Sequence, residues 1–157
     1  MHAATVDTSS LLYLHRIGLL ELLDRLYSPI LVPQAVLSEL DAARDELSVP
    51  DPRAIPWCQI RPVELPAHIA ALGLGAGESA VLALAQALDG MAVIDDQAAR
   101  DAAELLRIEY TGLLGVLCLA KERALIEQVE PHLNALVEQG FWLSGKTRSA
   151  ALKLAGE

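Results

Sequence analysis

Short, unbroken apolar runs separated by helical patterns constrain this chain more than any other feature. The runs are residues 3–6, 28–32, 57–63, 91–94 and 108–110. Between them the apolar spacing predicts helices over 11–17 (ended at Gly18), 19–26, 34–44, 66–72, 78–88 and 97–107. Residues 113–121, 126–139 and 146–155 read as helical too, and 45–56, with Pro50, Pro52 and Pro56, as a loop. Strands that are apolar throughout bury both faces, and alternation with helices supplies the cover. The expectation is an α/β three-layer sandwich around a mostly parallel sheet of four to five strands. Residues 1–144 are expected to form its one domain and 145–157 a C-terminal helical tail.

Composition narrows the function classes. In 157 residues, 53% are apolar and 21% charged, which excludes a disordered chain. The longest apolar-rich stretch, 110–120, contains Thr111, Gly112 and Gly115 and is too short to span a bilayer, so no membrane segment is expected. Asp7 interrupts the N-terminus and no basic flank precedes it, so no signal peptide is expected. Cys58 and Cys118 form no spaced pair, which fits a reducing, cytoplasmic setting. Twelve basic against 21 acidic residues make the net charge −9. That excludes gripping nucleic acid by charge alone but allows acids gathered around a divalent cation, which reverses the local sign.

The acids stand where such a site would form. In an open α/β sheet, ligands bind beyond the carboxyl ends of the strands. Asp7 follows the first strand, and Asp95 and Asp96 follow the run 91–94. Each is also an ordinary turn or capping residue. Glu39 has Ala35, Val36, Ala42 and Ala43 as its helical neighbours, so it lies on an apolar stripe facing the sheet. A carboxylate there needs a partner, either a cation or, as an ordinary alternative, Arg44. Glu78 follows Gly75-Ala76-Gly77 at a helix start, where the helix dipole alone would favour it. Oxygen donors without histidine suit Mg²⁺ or Mn²⁺. No Gly-x-Ser-x-Gly elbow, lysine-bearing phosphate loop or Asp-x-Asp after the first strand is present.

Five segments in order resemble the PIN domain. They are Asp7-Thr8-Ser9, Val32 to Leu40, Leu74 to Ala80, Val93 to Arg100, and Tyr110 to Leu117 followed by Ala120-Lys121. The resemblance covers about residues 3–144 and is nearest to a VapC-like, uncharacterised prokaryotic branch. It implies a metal-dependent endoribonuclease using Mg²⁺ or Mn²⁺ on an RNA substrate. It also implies, for many members, a toxin with a small antitoxin protein as partner, and a homodimer is a further candidate. Asp7, Glu39, Glu78 and Asp96 match the catalytic acids, with Asp7, Asp96 and Glu78 as metal ligands. Thr8, Ser9, Asp95 and Thr111 stand in supporting positions, and Lys121, Lys146 and Arg148 are candidate RNA contacts. Ala98 replaces a further acid of the family. A second function class therefore stays open: a PIN-like module that binds RNA or a protein without cutting.

Overall fold

The computed structural model describes residues 1–45 and 48–157; positions 46 and 47 of the proline loop lie outside the described residues. Five strands form one sheet: β1 (Ala4–Val6), β2 (Ile30–Pro33), β3 (Cys58–Arg61), β4 (Met91–Val93) and β5 (Tyr110–Thr111). Their order is β3-β2-β1-β4-β5 and every pair is parallel. The chain thus builds outward from β1 to β2 and β3 on one side, then crosses to β4 and β5 on the other. The β1/β4 boundary is the topological switch point, where an open parallel sheet leaves a crevice at its carboxyl edge.

Among the described residues the helices are α1 (Thr8–Arg16), α2 (Leu22–Leu26), α3 (Gln34–Ala42), α4 (Ala67–Ala70), α5 (Ala76–Leu88), α6 (Gln97–Leu106), α7 (Leu113–Glu122), α8 (Glu130–Glu138) and α9 (Gly145–Leu154). The boundaries differ from the sequence pattern in three instructive places. The pattern 19–26 is helical only from Leu22, because residues 18–21 form the turn out of α1 with Gly18 at φ 73°. α5 starts at Ala76, two residues before Glu78, so Gly77 lies inside the helix. α8 starts at Glu130, with Pro131 in its first turn, where its missing N–H costs nothing.

β1 and β2 are buried along their whole length, as are Ala92, Val93 and Ile94. They join Leu11 and Leu14 of α1, Val36 and Leu40 of α3, Val81 and Leu82 of α5, and Val116 and Leu117 of α7 in one apolar core. α9 packs on α7. Among the described residues no helix is long and apolar enough to cross a membrane.

Candidate active site

β1 ends at Val6 and the next residue, Asp7, turns the chain into α1. Its extended backbone (φ −79°, ψ 170°) makes it the N-cap, and its carboxylate accepts the Ser10 N–H at 2.9 Å. Its own N–H donates to the Val93 carbonyl of β4 (3.1 Å), which fixes Asp7 at the switch point. The side chain is 3% exposed, and among the described residues no cation pairs with it. Burial pushes its pKa from 3.8 up to about 6; hydrogen bonding from Ser10 opposes the rise, and the nearby charge of Asp95 adds to it. Crowding of acids is therefore the smaller cause and desolvation the larger one.

Asp95 completes this pair. Its carboxylate accepts the Leu113 N–H at the start of α7 (3.1 Å) and the Arg100 guanidinium (2.9 Å). Burial raises its pKa as well, against the pull of the Leu113 N–H and Arg100. Gly112 lets the three groups meet: a Cβ there would stand 2.1 Å from Arg100 Nη2 and 2.5 Å from Asp95 Oδ1. The Ser10 hydroxyl lies near both carboxylates and lowers both pKa values, yet it is fully buried and completes no hydrogen bond of normal geometry. The unsatisfied Ser10 hydroxyl and the two neighbouring carboxylates, one buried and one half-buried, form an all-oxygen set. Its chemistry fits a hard divalent cation.

Glu39 serves a different set of contacts. One carboxylate oxygen accepts the Gly77 N–H in the first turn of α5 (2.8 Å), and the other accepts the Thr8 hydroxyl. The carboxylate thus ties α3, α5 and the start of α1 together, next to Asp7. Its suggested partner Arg44 instead contacts Asp41 (2.9 Å) and Asp51 (3.6 Å), away from Glu39.

The remaining acids are more open. Asp96 is exposed and caps α6, accepting the Ala99 N–H (3.0 Å). Glu78 is half-buried and folds back against Gly75, where a Cβ would stand 2.4 Å from its Oε2. Among the described residues no three of His, Cys, Asp and Glu stand close enough to share one ion. The structure brings Asp7 together with Asp95, and Glu39 with Thr8, while Asp96 and Glu78 stand apart. Ser9 reaches Asp7 only at 3.5 Å, and the Thr111 hydroxyl lies over Gly115.

Of the cations, Lys121 pairs with Glu157 (2.9 Å), and Arg148 with Glu130 (3.3 Å) and Asn134 (2.7 Å). Both are thereby tied into packing around α8; Lys146 is exposed in the first turn of α9. A cleft of about 450 Å³ between α7 and α9 contains none of these acids. Another, about 290 Å³, is lined by Asp95 and Arg100 but not by Asp7.

Sequence reasoning missed Arg100 and Ser10. Arg100 sits five residues after Asp95, which itself precedes α6, so the pair falls outside the i, i+3 and i, i+4 spacings that would have signalled a contact. Ser10 carried no signal beyond that of a capping turn.

A family model described as DUF3368: PIN domain matches residues 3–157. No curated protein matches the chain. PIN domains are in general metal-dependent nucleases acting on RNA or DNA. With an all-parallel five-stranded sheet, helices on both faces and buried acids at its switch point, the chain belongs to the PIN-domain family.

Proposed function

We propose that the chain is a Mg²⁺- or Mn²⁺-dependent endoribonuclease of the VapC-like kind, acting in the cytoplasm. A small antitoxin protein and a second copy of the chain are its candidate partners. One observation carries the reading: Asp7 is buried at the switch point beside Asp95 and has no cation of its own among the described residues. A buried carboxylate without a counter-charge is costly, and a site that keeps one has a use for its negative charge.

A bound Mg²⁺ or Mn²⁺ supplies charge stabilisation at the scissile phosphate and a more acidic water. Asp7 and Asp95 would hold it directly, with water and the RNA phosphate supplying its remaining oxygens. Arg100 fixes Asp95 in place, as does the Leu113 N–H. Glu39 positions Asp7 indirectly: it holds Thr8, the next residue, against the N-terminus of α5.

Two results test this reading. Asp95→Asn is expected to lower RNA cleavage more than tenfold beyond Asp96→Asn, because Asp95 is the neighbour of Asp7 and Asp96 an exposed cap. Equal losses, or a larger loss at Asp96, would reassign the ligands. Cation binding must also displace the proton that Asp7 carries below a pKa of about 6. Mn²⁺ affinity is therefore expected to rise between pH 5 and 7. Calorimetry in buffers of different ionisation enthalpy counts the released protons, and a binding heat independent of pH and buffer counts against the site.

The non-cutting reading draws on a separate observation: Arg100 already neutralises Asp95. Mn²⁺ bound through Asp7 with no cleavage of structured or single-stranded RNA would favour it.

A further inference from the structure

The 290 Å³ cleft beside Asp95 ends at a side chain that the nuclease reading does not use. Trp142 is 83% exposed, more than any other large apolar residue described. It belongs to a turn anchored on both sides. Phe141 packs edge-on against Tyr13 of α1 (ring centroids 5.3 Å apart), and its N–H donates to the Leu136 carbonyl (3.0 Å). Ser144 caps α9 through the Thr147 N–H (3.1 Å). The indole is thus presented from a fixed backbone, and it lines the same cleft as Asp95, Gln97 and Arg100. Arg100 uses Nε on the Ile94 carbonyl (3.3 Å) and Nη2 on Asp95 (2.9 Å). Its Nη1 has no hydrogen-bond partner among the described residues.

We propose that this cleft is a nucleotide subsite for single-stranded RNA, in which an unpaired base stacks on Trp142 and its phosphate meets Arg100. This rests on the nuclease reading for the identity of the polymer. Three observations support it. The volume, about 290 Å³, is at the small end for ligand pockets and suits one nucleotide rather than a helix. An exposed indole face stacks on any base whose own face is free, which duplex pairing denies. Asp95 itself lines the cleft, so a nucleotide held there brings its adjoining phosphodiester next to Asp95. In a chain of net charge −9, stacking with a single guanidinium supplies affinity that a basic surface does not.

The test uses the full chain in EDTA, so that binding is read without cleavage. The probe is fluorescein-labelled hexa-adenylate RNA, compared with a duplex of twelve G·C-rich base pairs carrying the same label. Wild-type protein is expected to bind the single strand with quenching of Trp142 emission; Trp57, beside the opposite edge strand β3, serves as an internal reference. Trp142→Ala is expected to weaken binding by about 5- to 150-fold, the range for one stacked base. Trp142→Phe is expected to recover most of it, since the ring and not the indole N–H carries the contact. Unchanged affinity in Trp142→Ala, or equal quenching by the duplex, overturns the proposal. So does an emission shift that follows protein concentration alone, which would assign Trp142 to a contact between copies. A separate Mn²⁺ cleavage assay keeps the two readings apart. Trp142-dependent binding without cleavage leaves the subsite and removes the nuclease; cleavage with binding indifferent to Trp142 does the reverse.

Discussion

Asp7→Asn is expected to abolish RNA cleavage, by orders of magnitude, while making the metal-free protein more stable. Both effects come from one charge. The carboxyl has a folded pKa of about 6 against 3.8 unfolded, raised chiefly by burial. A raised acid means that the folded state binds the proton more tightly, so this group's contribution to stability falls as pH rises from about 3.8 to 6. Above pH 6 the ionised side chain costs about 3 kcal/mol relative to its unfolded form. Asparagine removes that cost and still caps α1 through the Ser10 N–H. Its buried amide returns about 1–2 kcal/mol as an unpaired donor, leaving a net gain of about 1–2 kcal/mol. Urea melts in EDTA at pH 7 and pH 4 measure this. The variant should lead at pH 7 and lose its lead at pH 4, where the wild type is itself largely protonated. A lead independent of pH would mean that the charge is not the cause, and undiminished cleavage would remove Asp7 from the chemistry. Asp51→Asn, in the proline loop, is the control expected to leave cleavage unchanged.

Gly77→Ala should reverse the usual sign of a glycine-to-alanine change in a helix. Ordinarily the gain is up to about 1 kcal/mol, because alanine is the better helix former. Here the new Cβ would stand 2.6 and 2.7 Å from the two Glu39 carboxylate oxygens and 2.9 Å from their carbon. Glu39 must then leave, and the Gly77 N–H and Thr8 hydroxyl lose their acceptor. Each group left unpaired out of water costs about 1–3 kcal/mol. A destabilisation of about 1–3 kcal/mol is expected, with a several-fold fall in cleavage as Thr8 releases the turn that carries Asp7. Gly145→Ala is the comparison: nothing lies within 4 Å of its Cβ, and it sits in the first turn of α9. It should be neutral or mildly stabilising. If Gly77→Ala behaves the same way, the Glu39 clip does not hold the site together.

These two variants separate the parts of the site by cause. Asp7 contributes a charge kept where water is scarce. Glu39 contributes geometry, joining three helices whose ends meet beside that charge. Arg100 and Gly112 do for Asp95 what Thr8 and Gly77 do for Glu39: one supplies a donor, the other the space for it.

Local pattern determined the sheet and the place of its acids. Strands β1, β2 and β4 are continuous apolar runs because both their faces are covered, and that continuity is visible without coordinates. Asp7 and the pair Asp95-Asp96 follow strands, so their position at the carboxyl edge needed only the alternation of strands and helices. Periodicity also put Glu39 on an apolar stripe. Its partners were another matter, because Thr8 and Gly77 are 31 and 38 residues away and only the packing of α1, α3 and α5 brings them within reach. The choice between Asp95 and Asp96 was equally tertiary. Once β4 ends, strand alternation no longer dictates which side chain turns inward; Asp96 caps α6, and Asp95 meets the first N–H of α7. Trp142 had no helical or strand period to place it, and its position in the cleft of Asp95 follows from Phe141 docking on α1, a contact between residues 128 positions apart. Local pattern therefore determined which end of the sheet carries the acids. Only the folded chain decided which acids face each other there, because that depends on contacts between segments with no local signature.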